Sequence, residues 1–143
     1  MSAFEFQLFN PAERKLSFQT RNGETRVGEH ITIQHLEQAK FVIIGVAENA
    51  GPQANLGRVG SENAFKAFAK VFFNSQSYKG AATEKAAFLG QIKQIKQPLD
   101  RPEAMAMVSE LDTLLFNVLE QHLRDGQIPI VVGGGHNNAL PLM

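Results

Sequence analysis

Three short apolar segments of the chain have the pattern of β-strands. The run from Lys40 to Val46 is continuous and rich in β-branched residues, and Pro129 to Val132 repeats this pattern over a shorter length. Runs of this kind are typical of strands that are covered on both faces of a parallel sheet. Ala86 to Ile92 is ambiguous, because its alanines favour a helix whereas its short apolar run and Gly90 favour a buried strand. We predict a strand there, the second of three.

Two longer segments carry apolar residues at helical spacing. The first begins at Ser61, a residue that can cap a helix, and runs to about Phe73. The second begins after Asp100, with Pro102 and Glu103 in its first turn, which is a helix-start signature. An aromatic stripe such as that of the first helix is more often core than cofactor site. The predicted apolar faces consist of Ala64, Phe65, Phe68, Val71 and Phe72 in the first helix, and of Ala104, Met107, Val108, Leu111, Leu114, Leu115, Val118, Leu119 and Leu123 in the second.

The order of these elements is strand, helix, strand, helix, strand. Two consecutive crossover units of this kind predict an α/β fold with a parallel sheet and right-handed connections. A chain of 143 residues is most simply one domain. We divide it into an N-terminal arm over 1–39, which shows no clear period and is predicted to be solvated, and a βαβαβ core over 40–143. The stretch 47–60 is predicted to be a long loop at the carboxyl end of the first strand, where such loops are often functional.

Composition narrows the classes of function. Fourteen basic residues balance fourteen acidic ones, and no basic run is present, so there is no electrostatic case for nucleic acid or an anionic membrane as a partner. The absence of cysteine excludes disulfides, thiolate metal sites and a cysteine nucleophile. The N-terminus lacks the pattern of a secretory signal, and no apolar run approaches the roughly 18 residues of a membrane span. We therefore expect a cytoplasmic protein.

The third predicted strand leads into three glycines, Gly133 to Gly135, and then into His136. Ligands of parallel sheets lie at the carboxyl ends of the strands, and glycines there let the backbone turn sharply or approach a ligand closely. A neutral imidazole is a common metal ligand, and a loop at a strand end can aim it into a crevice. His136 is therefore the candidate metal ligand of this chain.

Other chemistries at this turn are weaker. A Walker-type phosphate loop requires a lysine where the chain has His136, and a dinucleotide fingerprint lacks its helix and acidic residue. The three aspartates of the chain form no Asp-x-His or Asp-x-Asp pair that would complete a binuclear site. Two alternatives to a metal site stay open. One is a non-catalytic module that binds a small anion or nucleotide at the Gly133–Gly135 turn, and the other is a structural piece in which His136 merely closes the turn.

The segment from Gly133 to Asn138, Gly-Gly-Gly-His-Asn-Asn, resembles the first metal-ligand motif of the ureohydrolase superfamily, the group of arginases, agmatinases and formimidoylglutamases. Its double asparagine, Asn137 and Asn138, resembles the formimidoylglutamase-like branch. The stretch 45–60 is similar to the glycine-rich loop of that branch, with the Glu, Ala-Asn and Gly-Arg-x-Gly positions present. The segments 73–76 and 21–29 also fit, so that the resemblance covers most of the chain from residue 21 on.

This resemblance implies a three-layer α/β/α sandwich around a parallel sheet, of which about three strands are present here with the first in the middle. The family enzymes are hydrolases of linear amidine C–N bonds and hold two manganese ions. These ions lower the pKa of a shared water, and the resulting hydroxide attacks the substrate carbon. His136 matches the ligand of one ion. The other ligands belong to an Asp-x-His-x-Asp motif and an Asp-x-Asp motif, and neither exists in this sequence.

We therefore expect the N-terminal portion of a formimidoylglutamase-like ureohydrolase, inactive by itself. Its substrate class would be a small amidine or guanidine, and Asn137 and Asn138 are candidate substrate-binding residues. The third strand is expected to expose a sheet edge, which favours self-association into a homo-oligomer.

Overall fold

The structure, a computed structural model, describes residues 1–12, 18–33 and 35–143. Its centre is a five-stranded sheet in the order β1-β6-β4-β7, with β3 also paired to β6, and a second sheet consists of β2 and β5. The strands are β1 (Phe4–Leu8), β2 (Thr25–Arg26), β3 (Thr32–Ile33), β4 (Phe41–Ala47), β5 (Gln76–Ser77), β6 (Ala86–Gln94) and β7 (Ile128–Val132). The α-helices are α1 (Val27–His30), α2 (Ala50–Ala54), α3 (Ala64–Asn74) and α4 (Arg101–His122), and the 3-10 segments are Ser61–Asn63, Ala82–Lys85 and His136–Leu142.

The sheet is mostly parallel. β3, β4, β6 and β7 run in the same direction, and β1 pairs antiparallel with β6. β4 lies between β6 and β7, so that the first strand of the predicted core is in the middle, as expected. The three strands predicted from apolar runs are confirmed, and the ambiguous segment that begins at Ala86 is a strand. The fold is therefore α/β.

Each face of the sheet is covered by a separate hydrophobic cluster, because the side chains of β4 alternate between the faces. Val42, Ile44 and Val46 point to the face that is covered by α4. Ile43 points to the opposite face, which is covered by α3 and the segment around α1. The α4 side buries Ala3, Phe4, Leu36, Ala39, Ala50, Ala87, Leu89, Ile92, Met107, Leu111, Leu115, Val118 and Leu119; the α3 side buries Phe9, Val27, Ile31, Ile33, Phe65, Ala69, Phe73, Ala86 and Phe88.

This arrangement creates a switch point between β4 and β7. The chain leaves β4 through α3 on one face to reach β6, whereas the 3-10 segment that follows β7 packs against α4 on the other face. Connections that leave in opposite directions open a crevice beyond the carboxyl ends of the two adjacent strands, and ligands of open α/β sheets bind there. The two loops at this crevice are the stretch after Ala47 and the glycine turn after Val132.

The prediction of a solvated N-terminal arm over 1–39 is wrong for the residues described there; residues 13–17 and 34 lie outside them. β1 continues the main sheet along β6, and Phe4, Val27 and Ile31 are buried. The main sheet therefore has five strands rather than about three. The sequence gives no period here because the elements are too short: β2 and β3 have two residues each and α1 has four.

The region 47–63 is more ordered than the predicted loop. It contains α2, which forms in spite of Gly51 and Pro52 within it. Ser61 does not cap α3 as predicted, since it begins a 3-10 turn and its hydroxyl donates to the backbone oxygen of Glu48. On α3 itself the buried face is shifted toward Ala69 and Phe73, and Val71, predicted to be apolar core, is 70% exposed.

Helix α4 is formed as the sequence predicts. The Asp100 side chain accepts a hydrogen bond of 2.8 Å from the backbone nitrogen of Glu103, and Pro102 lies in the first turn. Its apolar stripe runs from Ala104 to Leu119 and packs on the sheet. None of the helices in the described part of the chain combines the length and the apolar composition that a bilayer crossing requires.

We predict that Asp100→Ala lowers the free energy of unfolding by about 1 kcal/mol, because the first turn of α4 loses its side-chain cap. Urea denaturation followed by circular dichroism measures this change. The matched control is Asp125→Ala, which removes an exposed aspartate that caps no helix. Equal effects of the two substitutions would contradict the assignment of Asp100 as a stabilising cap.

A second prediction concerns the edge of the sheet at β7, beyond which no other strand pairs in the described part of the chain. Ile128 and Ile130, on the same side of this strand, are 43% and 39% exposed. An edge of this kind can pair with another chain. We expect the protein to self-associate at high concentration and Ile130→Lys to weaken the association, whereas Leu99→Lys in an exposed loop leaves it unchanged. Sedimentation velocity across a concentration series measures this, and a wild-type protein that stays monomeric would refute the prediction.

Candidate functional site

The candidate site is the turn that follows β7. Gly133 and Gly134 have φ angles of 98° and 70°, which favour glycine, and the 3-10 segment starts directly afterwards at His136. The His136 side chain is exposed, and its ring makes no hydrogen bond to any described residue. The imidazole predicted to be a metal ligand therefore lies beyond the end of β7, with both ring nitrogens available.

Glu48, the residue after β4, connects this turn to the neighbouring loop. Its side chain is fully buried. One carboxylate oxygen, Oε1, accepts a hydrogen bond of 2.5 Å from the backbone nitrogen of Gly135, and the other, Oε2, accepts one of 2.7 Å from the backbone nitrogen of Gly51. A single side chain thus joins the loop after β4 to the turn after β7.

The glycines of the turn are required by this close packing. A methyl group at Gly134 would lie 2.7 Å from Glu48 Oε1, and one at Gly135 would lie 2.5 Å from Asn137 Oδ1. A methyl group at Gly133 would lie 2.7 Å from the backbone oxygen of Val46. All three distances are shorter than ordinary carbon contacts. The glycines therefore make room for other parts of this chain.

The two asparagines after His136 belong to the same packed unit. Asn138 is buried, and its amide donates to the backbone oxygen of Gly133 at 3.2 Å. Its side-chain oxygen accepts from the Asn137 amide, also at 3.2 Å. The amide groups proposed as substrate contacts are thus engaged in holding the turn. Their role in substrate binding stays a prediction, with Asn137 the more accessible of the two.

Asp112 of α4 brings a second carboxyl group toward this unit. Burial raises its pKa, a hydrogen bond from Asn137 acts in the opposite direction, and the charge of Glu48 raises the pKa further. Its Oδ1 atom and the Oδ1 atom of Asn137 are both shielded from solvent without a hydrogen-bond partner in the described residues. Acidic and polar side chains therefore lie next to the site, between the sheet and α4.

The loop after β4 is fixed to the sheet by further hydrogen bonds. Gln94, the last residue of β6, accepts with its side-chain oxygen from the consecutive backbone nitrogens of Asn49 and Ala50, at 2.7 and 3.1 Å. The buried Asn49 side chain accepts from the backbone nitrogen of Gly60 and from the hydroxyl of Ser61. The stretch 48–61 is therefore tied to the carboxyl end of the sheet at several points.

The residues described do not by themselves make a complete metal centre. They contain no group of three or more histidine, cysteine, aspartate or glutamate side chains that could hold an ion. His30 pairs with the hydroxyl of Ser77, and His122 packs against the ring of Phe6, so neither joins His136. Two manganese ions require several carboxylates beside the imidazole, and the part of the chain that the structure describes does not group them around His136.

A groove of the molecule lies elsewhere, on the α3 face of the sheet. It has a volume of about 780 Å³, and its lining includes the apolar Phe9 and Phe65 as well as Lys66, Lys70 and Lys93. Residues 133–138 do not line it, and the 3-10 segment that begins at His136 packs against α4 instead. The groove and the turn are therefore separate features.

Comparison of the chain with protein-family models, with curated proteins and with solved structures found no match.

Sequence reasoning identified His136 but gave Glu48 no role. The available signal was a carboxylate placed directly after a buried strand that ends at Ala47, at the position where a parallel sheet binds ligands. Its partner, the backbone nitrogen of Gly135, lies 87 positions later in the chain. A local sequence pattern does not reveal a hydrogen bond between residues that are so far apart in the chain.

We predict that Gly134→Ala destabilises the protein by roughly 2 kcal/mol more than the control Gly126→Ala, because a methyl group at 134 overlaps neighbouring atoms. Both glycines have a positive φ, so both substitutions carry a backbone strain of about 1–2 kcal/mol. At Gly126 no atom lies within 4 Å of the added methyl group. Chemical denaturation of the two variants gives the difference, and equal losses would contradict the packing described for the turn.

The raised pKa of Asp112 predicts how stability depends on pH. Below the ordinary aspartate pKa of about 3.9 both states are protonated, and as pH rises through the higher folded-state pKa the folded state is progressively disfavoured. Asp112→Asn removes this penalty. We expect urea midpoints of variant and wild type to agree near the acid end and the variant to become the more stable toward pH 7. A difference that is constant with pH, or the same trend in the exposed control Asp125→Asn, would contradict the shift.

Proposed function

We propose that this chain is the N-terminal portion of a binuclear-manganese ureohydrolase of the formimidoylglutamase-like type, and that it contributes one metal ligand, His136. The observation that carries the proposal is the exposure and the hydrogen bonding of the His136 side chain. It is exposed beyond the end of β7, beside the switch point with β4, and its ring has no hydrogen bond within the described residues. An imidazole in this position is available to an ion.

The fold supports the same proposal. Helices cover both faces of a mostly parallel sheet, and β4 lies between β6 and β7, which is the strand order that the family resemblance implies. We therefore propose an arginase-like three-layer sandwich of which this chain forms a part. The antiparallel β1 at the other edge of the sheet is an addition that the resemblance did not predict.

In the complete enzyme the two manganese ions would supply a hydroxide nucleophile for the carbon of a formimidoyl or guanidino group. The residues of this chain would hold one ion through His136 and fix the turn that carries it. Asn137 and Asn138 remain the candidates for substrate contact. Because the other ligands are missing, we propose that the chain alone is inactive toward small amidines and guanidines.

The alternative of an anion or nucleotide site at the Gly133–Gly135 turn is less well supported. Phosphate loops bind their ligand through free backbone N–H groups. Here the Gly135 nitrogen already donates to the Glu48 carboxylate, and a second anion at this place would be repelled by it. The reading in which His136 only closes the turn is also weaker, because Glu48 and Asn138 hold the turn without its ring.

The test of inactivity is an assay of the purified chain with manganese and, in turn, formimidoylglutamate, arginine and agmatine. We expect no product above the rate with manganese alone, since one imidazole cannot place a hydroxide between two ions. Turnover of any of these substrates would refute the proposal that the site is incomplete.

The ligand assignment has its own test. Manganese titrated into the wild-type protein should broaden the NMR resonances of the His136 ring before those of His35, a histidine outside the turn. His136→Ala should remove the broadening around residues 133–138 and change the free energy of unfolding by no more than about 0.5 kcal/mol. Selective broadening that persists in His136→Ala would refute His136 as the ligand, and a parent reading frame without a downstream Asp-x-His-x-Asp motif would refute the family assignment.

A further inference from the structure

Glu48 is an unusual residue in this fold because its carboxylate is fully buried and no cationic partner lies beside it among the described residues. The two salt bridges of the described residues join Arg26 to Glu24 and Lys96 to Glu103, and neither involves Glu48. Burial of an unpaired carboxylate is costly unless hydrogen bonds compensate for it. The compensation comes from two backbone N–H groups, those of Gly51 and Gly135.

These two N–H groups belong to different loops on the two sides of the switch point. Gly51 lies in α2, within the loop region after β4, and Gly135 is the residue directly before His136. The carboxylate therefore spans the crevice between the carboxyl ends of β4 and β7. It fixes the Gly135 N–H, directly before His136, and so acts on the backbone of the turn.

We propose that Glu48 is the positioning residue for His136. It acts by holding the Gly135 N–H and thereby sets where the His136 backbone, and with it the imidazole, leaves the sheet. This proposal rests on the proposed function in one respect: the proposed function supplies the task of the imidazole, which is to bind a metal ion. The tether itself is a property of the fold.

The chemistry of a carboxylate suits this task better than that of an amide. The single side-chain oxygen of Gln94 accepts hydrogen bonds from the consecutive backbone nitrogens of Asn49 and Ala50, because adjacent N–H groups can converge on one acceptor. Gly51 and Gly135 come from separate loops and use one oxygen each. A glutamine at position 48 would offer one oxygen and present its NH₂ group, a donor, to the second N–H.

The experiment compares Glu48→Gln with the wild type and with a control, Glu110→Gln. The Glu110 carboxylate also accepts a hydrogen bond from a backbone nitrogen, that of Ala3, and one from the hydroxyl of Ser2, but it lies away from the turn. Amide hydrogen exchange by NMR reports the Gly51 and Gly135 N–H groups, and the slowest amides of β4 and β6 report global opening. The shifts of the His136 ring protons report its surroundings.

We expect Glu48→Gln to speed exchange at Gly135, Gly51 or both by about tenfold or more beyond any change in the slowest amides, since a buried hydrogen bond is lost. The His136 ring resonances should shift in Glu48→Gln and not in Glu110→Gln. Unchanged exchange at both glycines, or ring shifts of the same size in the two variants, would overturn the proposal.

If Glu48→Gln does not fold, the wild type alone decides the question. The Gly135 amide proton should then be protected from exchange and should resonate at low field, as expected for a short bond to a carboxylate; an unprotected Gly135 amide would overturn the proposal. Manganese broadening of His136 in the wild type is read separately. Without that broadening the metal-ligand assignment fails, whereas the exchange at Gly135 still decides whether Glu48 positions the turn.

Discussion

The candidate site depends on one interaction, the bridge that the Glu48 carboxylate makes between the loops after β4 and β7. The parallel ladder between these strands aligns Phe41 to Gly45 with Ile128 to Val132 and ends there. Beyond the ladder the two segments no longer pair with each other, and their backbone N–H groups need other partners. The two oxygens of Glu48 supply them at Gly51 and Gly135, so that the order of the sheet extends into the loops.

This bridge also explains the composition of the turn. The Asn138 amide nitrogen and the Glu48 carboxylate, which accepts from Gly135, together crowd the space that a side chain at Gly134 would need. Glycine-rich turns after a strand are often read as phosphate loops. In this protein the acceptor that occupies the turn comes from the chain itself. The same sequence pattern therefore has a structural cause that must be separated from ligand binding before any function is assigned.

The sequence predicted those elements whose signals are local. β4 and β7 are continuous apolar runs, and α4 has its cap at Asp100 and a long apolar stripe within its own segment. β1 could not be predicted in the same way, because its partner is the later half of β6 and its own pattern covers five residues. The burial of Glu48 was even harder to predict from local sequence signals. Glutamate is ordinarily exposed, and one of the two N–H groups that compensate for its burial belongs to Gly135, 87 positions later in the chain.

The contrast between Glu48 and His136 separates folding from function at this site. The Glu48 carboxylate is held by two hydrogen bonds, whereas the exposed His136 ring has no hydrogen bond to the described residues. Folding therefore places little constraint on the side chain at position 136. It constrains strongly the backbone from which that side chain projects. A backbone that is held by hydrogen bonds and carries an exposed imidazole beside a switch point fits the ligand site that we propose.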